Sequence, residues 1–209
     1  PKNSKNWPQK VLKTLSLREK IAQMMIYRMH LKYKDVTPEK WEEIIRLLDG
    51  DGIGGIHLWS GDGSSSIAII NEIQKRSRIP IIFDADIERG FGQRFPSGTD
   101  FPPMMAITAT GNPENAYEVG KIVATESRAA GIHWNLSPVV DVNNNPLNPI
   151  INTRSFSEDA DIVSEFSKKY TKGLQDHGMI ATAKHFPGHG DTQTDSHSSL
   201  AMIPVSYTH

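Results

Sequence analysis

Residues 179–197 read MIATAKHFPGHGDTQTDSH. An apolar run suited to a buried strand closes on Lys184 and His185, then opens into a loop of glycine, proline and small polar residues. That loop carries two more histidines, His189 and His197, and two aspartates, Asp191 and Asp195. Titratable groups crowded at the C-terminal end of a strand are how (β/α)8 barrels assemble their chemistry.

Working back from this stretch, four more strand candidates stand upstream: MIYRM (25–29), IGGIHLW (53–59), IPIIFDA (79–85) and IHWNLSPVVDV (132–142), the last interrupted by Pro138. They are apolar rather than alternating, as strands covered on both faces of a parallel sheet should be. Amphipathic segments separate them. TPEKWEEIIRLLDG (37–50) has Thr37 as N-cap, Pro38 in the first turn and Trp41, Ile44, Ile45 and Leu48 on one face. NPENAYEVGKIVATESRAAG (112–131) starts at Asn112 and Pro113, lines one face with Ala116, Val119, Val123 and Ala130, and ends at Gly131. A third such helix is expected from Ser157 to Gly178.

This order leaves an open doubly wound sheet or part of a (β/α)8 barrel. A nucleotide-binding sheet would carry a glycine-rich turn after an early strand, and GFGQRF (90–95) is only a fragment of one. Asp84 and Asp86 close the third strand, Asp141 follows the fourth, and Lys184 and His185 close the fifth. The expected fold is therefore an α/β (β/α)8 barrel. Such barrels take about 250 residues, and here the fifth strand is reached only near position 185, so about the first five βα units are expected. Residues 1–209 then form one domain, incomplete at its C-terminal side.

Composition narrows the function classes. Charge is nearly balanced, 23 basic against 24 acidic residues, so no basic surface argues for nucleic acid. There are no cysteines, which excludes disulfides, thiolate metal sites and a cysteine nucleophile. No apolar run approaches the length of a membrane span. The chain begins at Pro1 with no signal-type segment, so an earlier targeting segment is left open, and neither localisation (cytoplasm or cell envelope) nor oligomeric state is legible.

The loop first suggests a metal site, since His185, His189, Asp191, Asp195 and His197 are all potential ligands. His185 and His189 flank FPG, which cannot be helical, so their four-residue spacing does not put them on one face and no metal is expected. His30, His57, His133 and His177 read as structural or solvated. Asp195 and His197 differ: a carboxylate two residues from an imidazole can hold one ring nitrogen and leave the other for proton transfer. Lys184 and His185 would direct donors into one cavity. The bland alternative for the lysine is a buried pair with a nearby aspartate, and for Arg94 and Arg154 a surface ion pair.

KHFPGHGDTQTDSH, preceded by NLSPVVDVNNNPLNPIINTRSF (135–156) and DIERGFGQRFPSGTDFPPMMAI (86–107), resembles the glycoside hydrolase family 3 β-N-acetylglucosaminidases, the NagZ-like enzymes of cell-wall amino sugar recycling. The resemblance runs from about Leu15 to Pro204. It implies a barrel domain that hydrolyses terminal β-linked N-acetylglucosamine with retention of configuration, without a cofactor. His197 becomes the acid/base residue with Asp195 as its partner, and Asp86, Arg94, Arg154, Lys184 and His185 become sugar-binding residues. Ordinary retaining glycosidases use two carboxylic groups; here a histidine takes one role. Two departures stand out. Arg89 occupies a place where the family more often has glycine, which suggests a local change in loop shape. The family's nucleophile is an aspartate on a later strand, no residue here matches it, and the 209 residues alone are expected to be inactive. A non-catalytic sugar-binding module, a family 3 β-glucosidase and a phosphorylase are the alternatives.

Overall fold

The computed structural model describes residues 6–32 and 35–203. The chain divides into two units, Pro1–Asp84 and Ala85–His209.

In the first unit, helices α1 (Trp7–Thr14) and α2 (Leu17–Ala22) precede strand β1 (Ile26–Leu31). Ser16 and Glu19 form a reciprocal capping box that starts α2. Helix α3 (Pro38–Asp49) begins as its sequence predicts, with the Thr37 hydroxyl accepting the Lys40 N–H at 3.4 Å. Its Ile44 and Leu48 are buried, each side chain contributing roughly 1.5–3 kcal/mol by removal from water. Strand β2 (Gly55–Gly61), helix α4 (Gly63–Arg76) and strand β3 (Ile82–Ala85) follow. Pairing of β1 with β2 and of β2 with β3 is parallel and places Arg28, His57 and Asp84 in one row. Between its neighbours in that row, His57 binds the Asp84 carboxylate through Nδ1 at 2.5 Å, and His30 binds the Ser60 hydroxyl at 3.0 Å.

The second unit opens at Ala85, whose carbonyl accepts the Leu136 N–H at 3.0 Å just beyond strand β4 (Trp134–Asn135). Helices α5 (Met104–Thr108) and α6 (Pro113–Ala129) come before β4, and α7 (Ala160–Asp176) and β5 (Ile180–Ala181) after it. Strand β4 pairs parallel with β5. Both strands are shorter than expected, because the register slips after Asn135: the Ile180 N–H bonds His133 O, whereas the Thr182 N–H bonds Ser137 O. Pairing nevertheless continues as separate bonds: Thr182 N–H to Ser137 O, Lys184 N–H to Pro138 O, and Val140 N–H to Lys184 O.

Helices α6 and α7 cross through two glycines. A Cβ on Gly120 would stand 2.3 Å from the Tyr170 carbonyl oxygen, and one on Gly173 would stand 2.2 Å from that of Tyr117. Close approach of the helices buries Val119, Val123, Phe166, Tyr170 and Leu174. Helix α7 starts at an Asp159 cap, two residues later than expected. The Ser157 hydroxyl takes the Asp159 N–H instead, while the Asp159 carboxylate takes the N–H groups of Asp161 and Ile162.

Parallel strands alternating with helices make the chain α/β, in the order of the first five units of a (β/α)8 barrel. Among the described residues no helix is long and apolar enough to cross a membrane.

Candidate active site

Past the end of β3 the segment Asp86–Glu88 has no strand neighbour for its backbone, and side chains from three elements satisfy it. Asn135 receives the Ile87 N–H at 3.0 Å and donates to the Ile87 carbonyl at 2.7 Å, reproducing a strand contact with an amide side chain. The Tyr170 hydroxyl reaches the carbonyls of Glu88 at 2.8 Å and Ile87 at 3.2 Å. Gln93 Oε1 accepts the N–H groups of Glu88 and Arg89, and Arg94 Nε donates to the Asp86 carbonyl at 3.0 Å. Two carboxylates, Asp86 and Glu88, are thereby held with one residue between them. In the loop that follows, the Arg89 guanidinium lies 3.4 Å from the Asp100 carboxylate, and Gly90 supplies the positive φ of the turn.

Glu88 organises the charges here. Arg154 grips both its carboxylate oxygens, Nη2 to Oε1 at 2.7 Å and Nε to Oε2 at 3.0 Å, while Nη1 donates to the Ile150 carbonyl. Lys184 Nζ joins Glu88 at 2.8 Å to Asp86 at 2.6 Å. Burial works against the charged form of Glu88, but Arg154 and Lys184 outweigh it and hold the carboxyl at about 2. The same pairing raises Arg154 above its ordinary value against the cost of its own burial. Asp86, Arg94, Arg154 and Lys184 are thus brought into one network. Its organising residue, Glu88, was not among the candidates from sequence, because Arg154, its bidentate partner, lies 66 residues away.

His185 forms a second centre. Its Nδ1 lies 2.6 Å from Asp141 Oδ2, and Asp141 Oδ1 accepts the His189 N–H at 2.6 Å. Desolvation opposes ionisation of Asp141, yet the bonds from His185 and His189 keep its pKa lowered. Because Asp141 takes Nδ1, the Nε2 edge of His185 is left without a partner among the described residues.

The loop follows. The Asp195 carboxylate accepts the His197 N–H at 2.9 Å and lies 2.7 Å from His197 Nδ1. These bonds, the backbone one first, lower its pKa. The His197 side chain is 74% exposed, and its Nε2 has no partner among the described residues. Between the two centres lies His189, which sequence reasoning set aside with the metal hypothesis. It is buried, with Nδ1 on the Thr192 hydroxyl and Nε2 2.9 Å from the Ser196 hydroxyl. Among the described residues no group of three or more His, Asp or Glu is arranged to hold a metal ion.

An α/β chain with cations, carboxylates and histidines gathered past its strand ends belongs to the class of barrel-type domains that act at that face. Its family is specific. The sequence model of the glycosyl hydrolase family 3 N terminal domain matches residues 16–208, and the chain belongs to that family. It is 33% identical over 160 residues to a beta-N-acetylglucosaminidase/beta-glucosidase of Cellulomonas fimi, covering 77% of this chain and 28% of that one. It superposes with TM-score 0.80 and 32% identity on a family 3 beta-N-acetylglucosaminidase from Paenibacillus sp. str. FPU-7, covering 93% of this chain and 37% of that one. It also superposes with TM-score 0.80 and 28% identity on the beta-glucoside phosphorylase BglX, over 94% of this chain and 34% of that one. The chain spans about a third of the length of these proteins.

Proposed function

We propose that residues 1–209 belong to one catalytic barrel domain, and that the protein containing it hydrolyses terminal β-linked N-acetylglucosamine with retention of configuration. The observation that carries this reading is the Asp195–His197 contact of 2.7 Å, on an exposed imidazole whose Nε2 has no partner among the described residues. In this reading Asp195 fixes the tautomer and orientation of the imidazole, and His197 Nε2 carries the proton to the leaving oxygen and later takes one from water. The imidazolium that gives this proton and the neutral ring left after it both avoid the repulsion that a second carboxylate would exert on the nucleophilic one. The nucleophile is the family's later-strand aspartate, which no residue of 1–209 matches.

Asp86 accepts hydroxyl hydrogen bonds from the sugar, with Lys184, Arg154 and Arg94 as donors, while His185, whose Nδ1–H is directed at the Asp141 carboxylate, offers Nε2 as an acceptor to a sugar hydroxyl. Glu88 and Asp86 together balance the charges of Arg154 and Lys184, so the site can take a neutral sugar. Closure of the glycine-rich loop over the bound sugar brings His197 to the glycosidic oxygen. The relative named for N-acetylglucosaminidase activity and the solved N-acetylglucosaminidase both support the acetamido sugar as substrate.

The test is release of aryl alcohol from an aryl N-acetyl-β-glucosaminide and from the matching β-glucoside by the full-length protein, with and without inorganic phosphate. Selective, phosphate-independent release from the acetamido substrate is expected. Release that requires phosphate would make the enzyme a phosphorylase, a reading favoured by the likeness to BglX. No release, with retained binding of N-acetylglucosamine, would make it a sugar-binding module.

A further inference from the structure

We propose that His189 is a positioning residue that holds the Asp195–His197 pair in register with the sugar-contacting end of the site. The proposal rests on the reading of His197 as the acid/base residue. Every polar group of His189 is engaged. Its N–H donates to Asp141 Oδ1 at 2.6 Å, and its carbonyl accepts Asn148 Nδ2 at 2.7 Å, so the residue is fixed to the floor on which Asp141 also holds His185. Asn148 is itself anchored, accepting the N–H groups of Ile150 and Ile151.

The ring then reaches the loop. The Thr192 hydroxyl lies 3.0 Å from the His189 carbonyl and 2.5 Å from His189 Nδ1; with its single hydrogen on the carbonyl, which can only accept, its oxygen accepts from Nδ1–H. In the neutral ring Nε2 is consequently an acceptor, and the Ser196 hydroxyl, 2.9 Å away, donates to it. Ser196 stands between Asp195 and His197 in the chain and is otherwise in an exposed stretch. The turn around it is closed by the N–H groups of His197, Ser198 and Ser199, all of which donate to Asp195. One buried imidazole thus joins the Asp141–His185 centre to the tip that carries the proton-transfer pair. A ring that only filled space would need no partner at Ser196.

Ser196→Ala in the full-length protein removes the tether from an exposed position and leaves the core intact. It is expected to lower kcat on a disaccharide with a poor leaving group by roughly 3- to 10-fold, the effect of one lost hydrogen bond. KM should be unchanged, and activated aryl glycosides should change less than about 2-fold. Ser196→Thr, which keeps the hydroxyl, should restore the rate. His189→Gln combined with Ser196→Ala should be no worse than the stronger single change, since both break one link. Hydrogen exchange at the amides of His197, Ser198 and Ser199 should quicken in Ser196→Ala without change at Lys184. Wild-type rates in Ser196→Ala on both substrates, or a KM effect alone, would overturn the proposal while leaving the hydrolase reading intact. If the wild-type protein cleaves neither glycoside, the hydrolase reading fails and exchange decides the tether: quickening localised to the turn upholds it, and unchanged exchange overturns it.

Discussion

Glu88 and Arg154 meet through two parallel hydrogen bonds, at 2.7 and 3.0 Å, so that a guanidinium after β4 is locked onto a carboxylate after β3. Paired charges of this geometry are among the stronger polar contacts available to a protein. They also have a pH signature. The folded pKa of Glu88 is depressed from 4.5 to about 2, so its contribution is fully present above 4.5 and is lost as pH falls from there toward 2. By linkage the contribution is at most about 3 kcal/mol. Denaturant unfolding of Glu88→Gln should therefore show lower stability at neutral pH and a flatter loss of stability between pH 4.5 and 2. An unaltered acid profile would contradict the arrangement.

Tyr170 supplies the only hydroxyl, among the described residues, on the carbonyls of Ile87 and Glu88, and it is fully buried. Tyr170→Phe takes the donor from the Glu88 carbonyl, while that of Ile87 keeps Asn135 Nδ2, and should cost about 1–3 kcal/mol in unfolding free energy. Because the same carbonyls set the direction of Asp86 and Glu88, affinity for N-acetylglucosamine should weaken as well. Titration calorimetry on the folded variant separates the two effects; unaltered affinity would dissociate Tyr170 from the site.

At the α6–α7 crossing the limiting contact is backbone. Gly120→Ala would push a methyl against the Tyr170 carbonyl and force the helices apart, at a cost of about 1–3 kcal/mol or more. Gly111→Ala is the control: its φ is +67° but nothing lies within 4 Å of the added carbon, so only the backbone cost of about 1–2 kcal/mol is expected. Thermal unfolding should rank Gly120→Ala below Gly111→Ala, and the reverse order would remove the account of this packing.

Local rules made much of this fold legible in advance. Thr37 and Pro38 announce α3, and Asn112, Pro113 and Gly131 bracket α6 because caps depend on residues close in sequence. Strand limits were less legible. Regular β4 stops at Asn135, where the pairing register slips, and the Asn135 side chain turns to Ile87, 48 residues away. The Asp195–His197 contact could be read because a single residue, Ser196, separates its partners, whereas Glu88 and His189 take their significance from tertiary partners. His189 could have been found by asking which loop histidine has hydroxyls at its flanks, here Thr192 and Ser196.

The most direct test of the central claim is His197→Ala in the full-length protein, assayed on an N-acetyl-β-glucosaminide with a poor leaving group and on an activated aryl one. General acid catalysis predicts a loss of roughly 10²–10⁴-fold in kcat on the first and a far smaller loss on the second, whose leaving group needs no proton. Equal losses on both substrates would contradict the assignment of proton transfer to His197.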